Sequence, residues 1–185
     1  MKRVLLVASI LLISVISTAC INNFAVQELN TKAKGFIENG DYQSAVERLK
    51  SSIDLDSSAY ESYYNLAVAY TKLEDYINAF ENYKKVIELK PDFSDGYYSL
   101  AVCEENLITD LEAGTIVADE NGSLTKPEEI LTEHKLDENS KSYILTLVTD
   151  AMHNYEEYLA KSENPADKAE VQERISELNM KAVKE

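Results

Sequence analysis

The sequence predicts an all-α fold, a solenoid of about three helical hairpins closed by a C-terminal capping helix, with an insertion interrupting the third hairpin. Three observations predict it. Apolar residues recur at i, i+3, i+4 and i+7 along most of the chain beyond residue 25, the spacing of one helix face. The pattern returns after 34 residues, pairing Tyr64 with Tyr98 and Val68 with Val102. Small residues, Ala67 and Ala79, stand where paired helices must approach closely, with aromatic residues beside them. A hairpin of this kind cannot bury its own apolar face and needs neighbours on both sides.

At the N-terminus, Lys2 and Arg3 precede an apolar run from Val4 to Ile16, and small residues lead to Cys20. This is the layout of an export signal, and the run is short for a spanning helix of roughly 20 apolar residues. Residues 16–20, Ile-Ser-Thr-Ala-Cys, resemble the lipobox of bacterial lipoproteins, with Ser17 standing where Leu, Val or Ile is usual. The resemblance implies a signal peptide at 1–19, cleavage after Ala19, thioether lipidation of Cys20 and palmitate-type acylation of its new amine. The alternatives are an uncleaved N-terminal anchor and an ordinary secretory signal. Several acyl chains would hold the protein stably on a membrane of the bacterial cell envelope. Ile21, rather than Asp, after the cysteine favours the outer membrane in a diderm cell. A tether at 20–25 reaches roughly 20 Å at most, so the folded part sits close to the bilayer.

The first hairpin, 26–59, sets Leu29, Ala33 and Phe36 on one helix and Ala45, Leu49 and Ile53 on the next. Gly40-Asp41-Tyr42 forms the turn, with Gly40 as a left-handed C-cap. The second, 60–93, is the clearest. Tyr63, Leu66, Ala67 and Tyr70 share a face, Leu73-Glu74-Asp75 turns the chain, and Tyr76, Ala79, Phe80, Tyr83, Val86 and Ile87 face back. Pro91 closes the unit because it cannot continue the helical ladder. These residues resemble the tetratricopeptide (TPR) repeat, W-x2-L-G-x2-Y…A-x3-F…P, with Tyr for Trp and Ala for Gly. The resemblance implies a TPR-type right-handed solenoid in which the first helix of each hairpin lines a concave face.

The third hairpin, 94–163, keeps Tyr97, Leu100 and Ala101 in register but has Glu104 where the pattern wants an aromatic residue. Its first helix is expected to run on through Leu107, Ile108 and Leu111 and stop at Gly114. Its second is expected to resume near Lys141, capped by Asn139 or Ser140, and to carry Ile144, Leu147, Ala151, Tyr155 and Tyr158. Both helices are then over-long, and their extra turns pack on each other. The insertion, 115–140, contains a β-prone run at Thr115–Ala118 and a tight turn at Asn121-Gly122. Capping-box spacing at Thr125–Glu128 predicts a short helix to about Lys135. Asn164-Pro165 opens the capping helix, 164–185, with Asp167 in its first turn. Val171, Ile175, Leu178 and Ala182 form its apolar stripe, while Gln172, Glu173, Arg174, Glu177 and Lys181 face away.

The chain carries 18 basic and 33 acidic residues. That balance argues against nucleic acid and against anionic headgroups as partners, both of which reward Lys/Arg clusters. With Cys20 lipidated, Cys103 stands alone and no intramolecular disulfide forms. His134 and His153 are not at ligand spacing with Cys103, and zinc needs three or four convergent ligands. Asp119-Glu120-Asn121-Gly122 with Glu128 resembles part of an EF-hand loop, but the first ligand position falls on Val117, so an acidic turn is the better reading. No glycine-rich phosphate loop and no nucleophile with its base can be assembled. No enzyme activity, metal or cofactor is implied.

By the TPR resemblance, Asn30, Lys34, Tyr64, Val68, Lys72, Tyr98, Val102 and Asn106 line the concave groove. The alternative for Tyr64 and Tyr98 is that they pack against a neighbouring helix. TPR domains that clamp a chaperone's C-terminal carboxylate use basic residues and Asn at fixed positions. Only Asn65 matches here, and Asp95 and Ser99 stand where Lys and Arg belong. The leading expectation is a membrane-anchored adaptor holding a peptide or helix of another envelope protein in this groove. The alternative is a ligand-binding envelope lipoprotein whose 115–140 insertion covers the groove.

Overall fold

Helices account for about three-quarters of the described chain, which in the computed structural model comprises residues 23–127, 136–163 and 165–184. The expected signal peptide and Cys20, the short helix near 128–135 with His134, and Asn164 as a cap lie outside those residues. In chain order the elements are α1 (23–38), α2 (Tyr42–Leu55), α3 (Tyr60–Lys72), α4 (Tyr76–Leu89) and α5 (Ser94–Ala113). Two short strands follow, β1 (Val117–Ala118) and β2 (Leu124–Thr125), then α6 (Glu138–Lys161) and α7 (Lys168–Lys184). Each helix from α2 onward packs against the next, and one apolar core runs from Ala33 on α1 to Leu178 on α7. The fold is all-α, built from helical hairpins.

One aspartate organises each regular turn. Gly40 adopts φ +78°, the left-handed conformation that brings the Asp41 N–H to the Phe36 carbonyl at 2.9 Å. That bond satisfies a carbonyl which the end of α1 leaves open. The Asp41 side chain then serves the next helix, its carboxylate accepting from Ser44 N at 3.2 Å to cap α2. Asp75 repeats both roles, donating to the Tyr70 carbonyl at 3.0 Å and accepting from Asn78 N at 3.5 Å. The left-handed position before it is filled by Glu74, at φ +56°, where the first hairpin has glycine.

In the third hairpin these roles are divided. Helix α5 stops at Gly114, φ +70°, as the sequence predicts, and Thr115 N–H donates to the Asp110 carbonyl at 3.0 Å. The side-chain cap comes only after the insertion, from Asp137, which accepts from Ser140 N at 2.9 Å. So α6 begins at Glu138, and its cap is neither Asn139 nor Ser140. Ser140 is engaged otherwise: its hydroxyl donates to Asp137 at 2.8 Å and accepts from Ala118 N at 3.2 Å, fastening β1 to the start of α6. The strands pair antiparallel, Val117 opposite Thr125 and Ala118 opposite Leu124. In the turn between them the Asp119 carboxylate accepts from Asn121 N and Ser123 N, both at 2.8 Å. The lengthened helices bury Ile108, Leu111, Ile144 and Leu147 against each other.

Helix α7 starts at Lys168, later than expected; Pro165 precedes it and its carbonyl accepts from Lys168 N at 3.3 Å. Asp167 accepts from the Tyr158 hydroxyl at 2.8 Å, which ties the approach to α6. Val171 and Leu178 are buried as the stripe predicts. Arg174 and Lys181 do not face away. They reach across to α5, Arg174 pairing with Glu105 and Lys181 with Glu112, because α7 lies beside α5 and long basic side chains can span to its acids.

Candidate functional site

The first helix of each hairpin lies beside the next, and polar side chains bridge each step. Asn65 of α3 donates to Asn30 Oδ1 of α1 at 2.9 Å. The Tyr64 hydroxyl of α3 lies 3.3 Å from Ser99 Oγ of α5. Arg174 of α7 meets Glu105 of α5 at 3.1 Å. The bridged helices present one continuous face, and all eight candidate groove residues are on them.

These residues play different parts. Asn30 is buried, with Nδ2 at 3.0 Å from the Val26 carbonyl, 3.0 Å from Ser52 Oγ and 2.7 Å from Ser62 Oγ. Buried amides need such partners. The network joins α1, α2 and α3, so Asn30 braces the face from below rather than offering a free amide to a partner. A cleft of ≈ 540 Å³ opens beside it, lined by Gln27, Thr31, Lys34 and Glu61 among others.

Tyr64 and Tyr98 are half-buried and packed in the same way. The Tyr64 ring meets Tyr83 at 5.9 Å and 64°, and the Tyr98 ring meets Tyr155 at 5.9 Å and 66°. Phe93 and Tyr158 supply a second ring to each, at 5.2 and 5.1 Å. Such tilted contacts stabilise beyond the area they bury. The 34-residue recurrence therefore has a packing cause, while each ring keeps an exposed part on the face. Val68 and Val102 lie half-buried on the same two helices. Asn106 turns back to its own helix, donating to the Val102 carbonyl at 2.8 Å. Lys34 and Lys72 are exposed, and neither is ion-paired among the described residues, whereas Lys32, Lys84, Lys85 and Lys161 each have an acidic partner.

The described part of the insertion is not a lid over this face. β1 packs on α6, and Gly122 lies so close to Tyr143 that an added Cβ would come within 2.9 Å of its ring. A second cleft, between the turn and α4, is lined by Ile77, Phe80, Lys84 and Leu124. The described part of the insertion thus lies against second helices, with Ile116 and Ala118 buried and β1 on α6.

One group escaped the sequence reading. Glu104 is 2% exposed, and both carboxyl oxygens accept from Asn154 Nδ2, at 3.1 and 2.9 Å. Burial pushes its pKa up to about 8. The available signal was an acid at an aromatic position, but its partner lies on another helix. Cys103 is buried beside it, its thiol pushed up by burial and directed at the Tyr76 carbonyl at 3.4 Å. Among the described residues, no three His, Cys, Asp or Glu side chains converge to hold a metal. No described helix is long and apolar enough to cross a membrane.

Profiles of the tetratricopeptide repeat match residues 60–93 and, for a second TPR profile, 34–74. Residues 34–93 carry tetratricopeptide repeats. The TPR domain of Arabidopsis OM64 superposes with a TM-score of 0.60 at 13% identity, covering 84% of this chain and 98% of that one. The second TPR domain of human RPAP3, solved in complex with the HSP70 peptide SGPTIEEVD, gives 0.59 at 14% identity, with coverage of 85% and 98%. The TPR2B domain of yeast Sti1, in its pHsp70 complex, gives 0.55 at 16% identity, again covering 85% and 98%. At these identities the likeness is one of TPR fold. No curated protein matches the sequence.

Proposed function

We propose that this chain is a membrane-anchored TPR adaptor whose first-helix face holds a peptide or helix of another cell-envelope protein. The observation that carries the reading is the composition of that face. Half-exposed Tyr64, Val68, Tyr98 and Val102 lie on helices bridged to one another, and Lys34 and Lys72, without an ion pair among the described residues, are exposed on the same helices. Binding energy concentrates in a few aromatic and aliphatic anchors inside a polar rim, and a pre-braced surface loses little entropy on binding. The peptide complexes of similarly folded TPR domains support a peptide partner. This chain's own residues argue against a chaperone tail as that peptide. Asp95 and Ser99 replace the basic pair, and the Asn65 amide is spent on Asn30. Anchoring is through lipid on Cys20 to a membrane of the bacterial envelope, the outer one if the cell is diderm, and rests on the lipobox resemblance. The role is non-catalytic.

Charge reversal at Lys34 and Lys72 tests this reading with little risk to the fold, since both side chains are exposed and unpaired among described residues. Lys34→Glu with Lys72→Glu should leave the melting temperature unchanged and reduce recovery of the co-purifying envelope protein about tenfold or more, a loss of roughly 1.4 kcal/mol. Undiminished recovery would place the working surface elsewhere.

A further inference from the structure

We infer that the N-terminal edge of the first hairpin is a lipid-contact surface with Phe24 seated in the bilayer interface; the inference rests on the anchoring at Cys20 proposed above. Phe24 is 68% exposed on the first turn of α1. The packing of the hairpin does not use it. Three residues lie between it and Cys20, and the four steps reach about 14 Å at full extension. The interfacial layer on each side of a bilayer is itself roughly 5–8 Å deep. A lipidated Cys20 therefore delivers Phe24 to the depth at which apolar side chains of surface-bound helices settle.

A second apolar group lies at the same edge. Ser52 of α2 bonds to Asn30 and lies 3.5 Å from the Val26 carbonyl. That contact brings the last turn of α2, with Leu55 at 42% exposure, alongside the first turns of α1. The charge pattern fits a membrane surface as well. In a chain of net charge −15, the exposed positions next to Phe24 are neutral Asn23, Gln27 and Thr31. On α1 the acid beside them, Glu28, is paired with Lys32 at 2.7 Å; across the cleft stand Glu61 of α3 and Asp56, with Lys34 between. Asp54 and Asp56 at the end of α2 belong to the headgroup and water layer, and Asp56 accepts from Ser58 N and Oγ at 2.9 and 2.6 Å. This surface matches a zwitterionic bilayer better than an anionic one.

Orientation follows. Helices alternate in direction, so the turns at 56–59 and 90–93 share the edge of residue 23. The turns at Gly40 and Glu74 and the β1–β2 hairpin lie on the opposite edge. Helix α5 alone spans about 30 Å, so contact through Phe24 holds the inserted hairpin that far out from the lipid.

The chain contains no tryptophan, so Phe24→Trp creates a single reporter at the proposed contact, and Asn121→Trp one on the distal hairpin. Each full-length, lipidated variant is reconstituted in phosphatidylethanolamine–phosphatidylcholine vesicles, floated, and tested with lipid-borne brominated acyl chains and with aqueous iodide. The inference expects the indole of Phe24→Trp to be quenched several-fold more by the brominated lipid, and that of Asn121→Trp by iodide. Flotation of Phe24→Trp with its indole open to iodide would overturn the lipid contact and leave anchoring intact. Failure to float, or flotation equal to that of Cys20→Ala, would overturn the anchoring reading and the contact with it.

Discussion

In the second hairpin, α3 and α4 have 13 and 14 residues and meet through Asp75; in the third, α5 and α6 have 20 and 24 and are joined by an insertion that ends at Asp137. Their inner geometry is nonetheless the same. Tyr64 on Tyr83 and Tyr98 on Tyr155 stand at an identical 5.9 Å, and Ala79 and Ala151 are both fully buried where the helices cross. The repeat is thus a packing arrangement between two helix faces, and its turn is replaceable. What a turn must supply is a partner for the last carbonyls of one helix and the first N–H groups of the next. Asp75 supplies both, whereas the third hairpin uses Thr115 for the first and Asp137 for the second, with a small β-hairpin between them.

The hairpins differ most inside, at the position of Tyr70 and Glu104, and that difference should have the largest measurable effect. A buried carboxyl favours its neutral form, and the groups facing Glu104 are Asn154 and Asp150 of α6, Lys84 of α4 and neighbouring Cys103. Its folded pKa of about 8 lies above the ordinary carboxylate value of 4.5. The folded state therefore holds the extra proton between those values. Stability from neutral Glu104 is complete below the unfolded pKa and is lost as pH rises through the folded one. The expected loss is on the order of 3–5 kcal/mol. Urea unfolding of the parent should weaken from pH 5 to pH 9, and Glu104→Gln should remove most of that slope. Parallel profiles would mean that Glu104 is ionised in the fold.

A smaller effect tests the shared geometry. Ala79→Leu and Ala151→Leu each overpack a helix crossing and should cost about 1–3 kcal/mol. If thermal melts show one costly and the other silent, the two hairpins are not equivalent. Smallest is the turn itself. Glu74 occupies a left-handed position that hairpins one and three give to glycine. Glu74→Gly should raise stability by about 0.5–1 kcal/mol, since the relief of left-handed strain exceeds the added chain entropy. A loss of stability would show that the Glu74 side chain contributes something that its backbone conformation does not reveal.

Much of the fold was legible because periodicity is local. The faces of α3 and α4, the stop of α5 at Gly114, the β-prone run before Asn121-Gly122 and the burial of Ile108, Leu111, Ile144 and Leu147 all follow from spacing along one or two helices. The start of α6 did not, since Asp137, Asn139 and Ser140 are all competent caps and only the bond from Ala118 N to Ser140 selects among them. Proline suits a first turn, so the sequence places Pro165 in the helix, yet the helix starts at Lys168 and Asp167 before it is tied to Tyr158. The face was legible as a set of positions but not as a set of roles. Asn30 sits at the position of Tyr64 and Tyr98, and its partners Ser52 and Ser62 come from two other helices. Arg174 and Lys181 looked solvated until α5 was beside them.

The measurement that bears most directly on the adaptor reading is site-specific photo-crosslinking of the full-length protein in its native membrane. A photoreactive residue at Val68 or at Val102 probes the first-helix face, and one at Glu81 or at Glu173 probes the second-helix side and the exposed surface of α7. One and the same envelope protein should be captured from both valine positions and from neither glutamate position. Capture of that protein from Glu81 or Glu173, with none from Val68 and Val102, would contradict the assignment of the first-helix face as the binding surface.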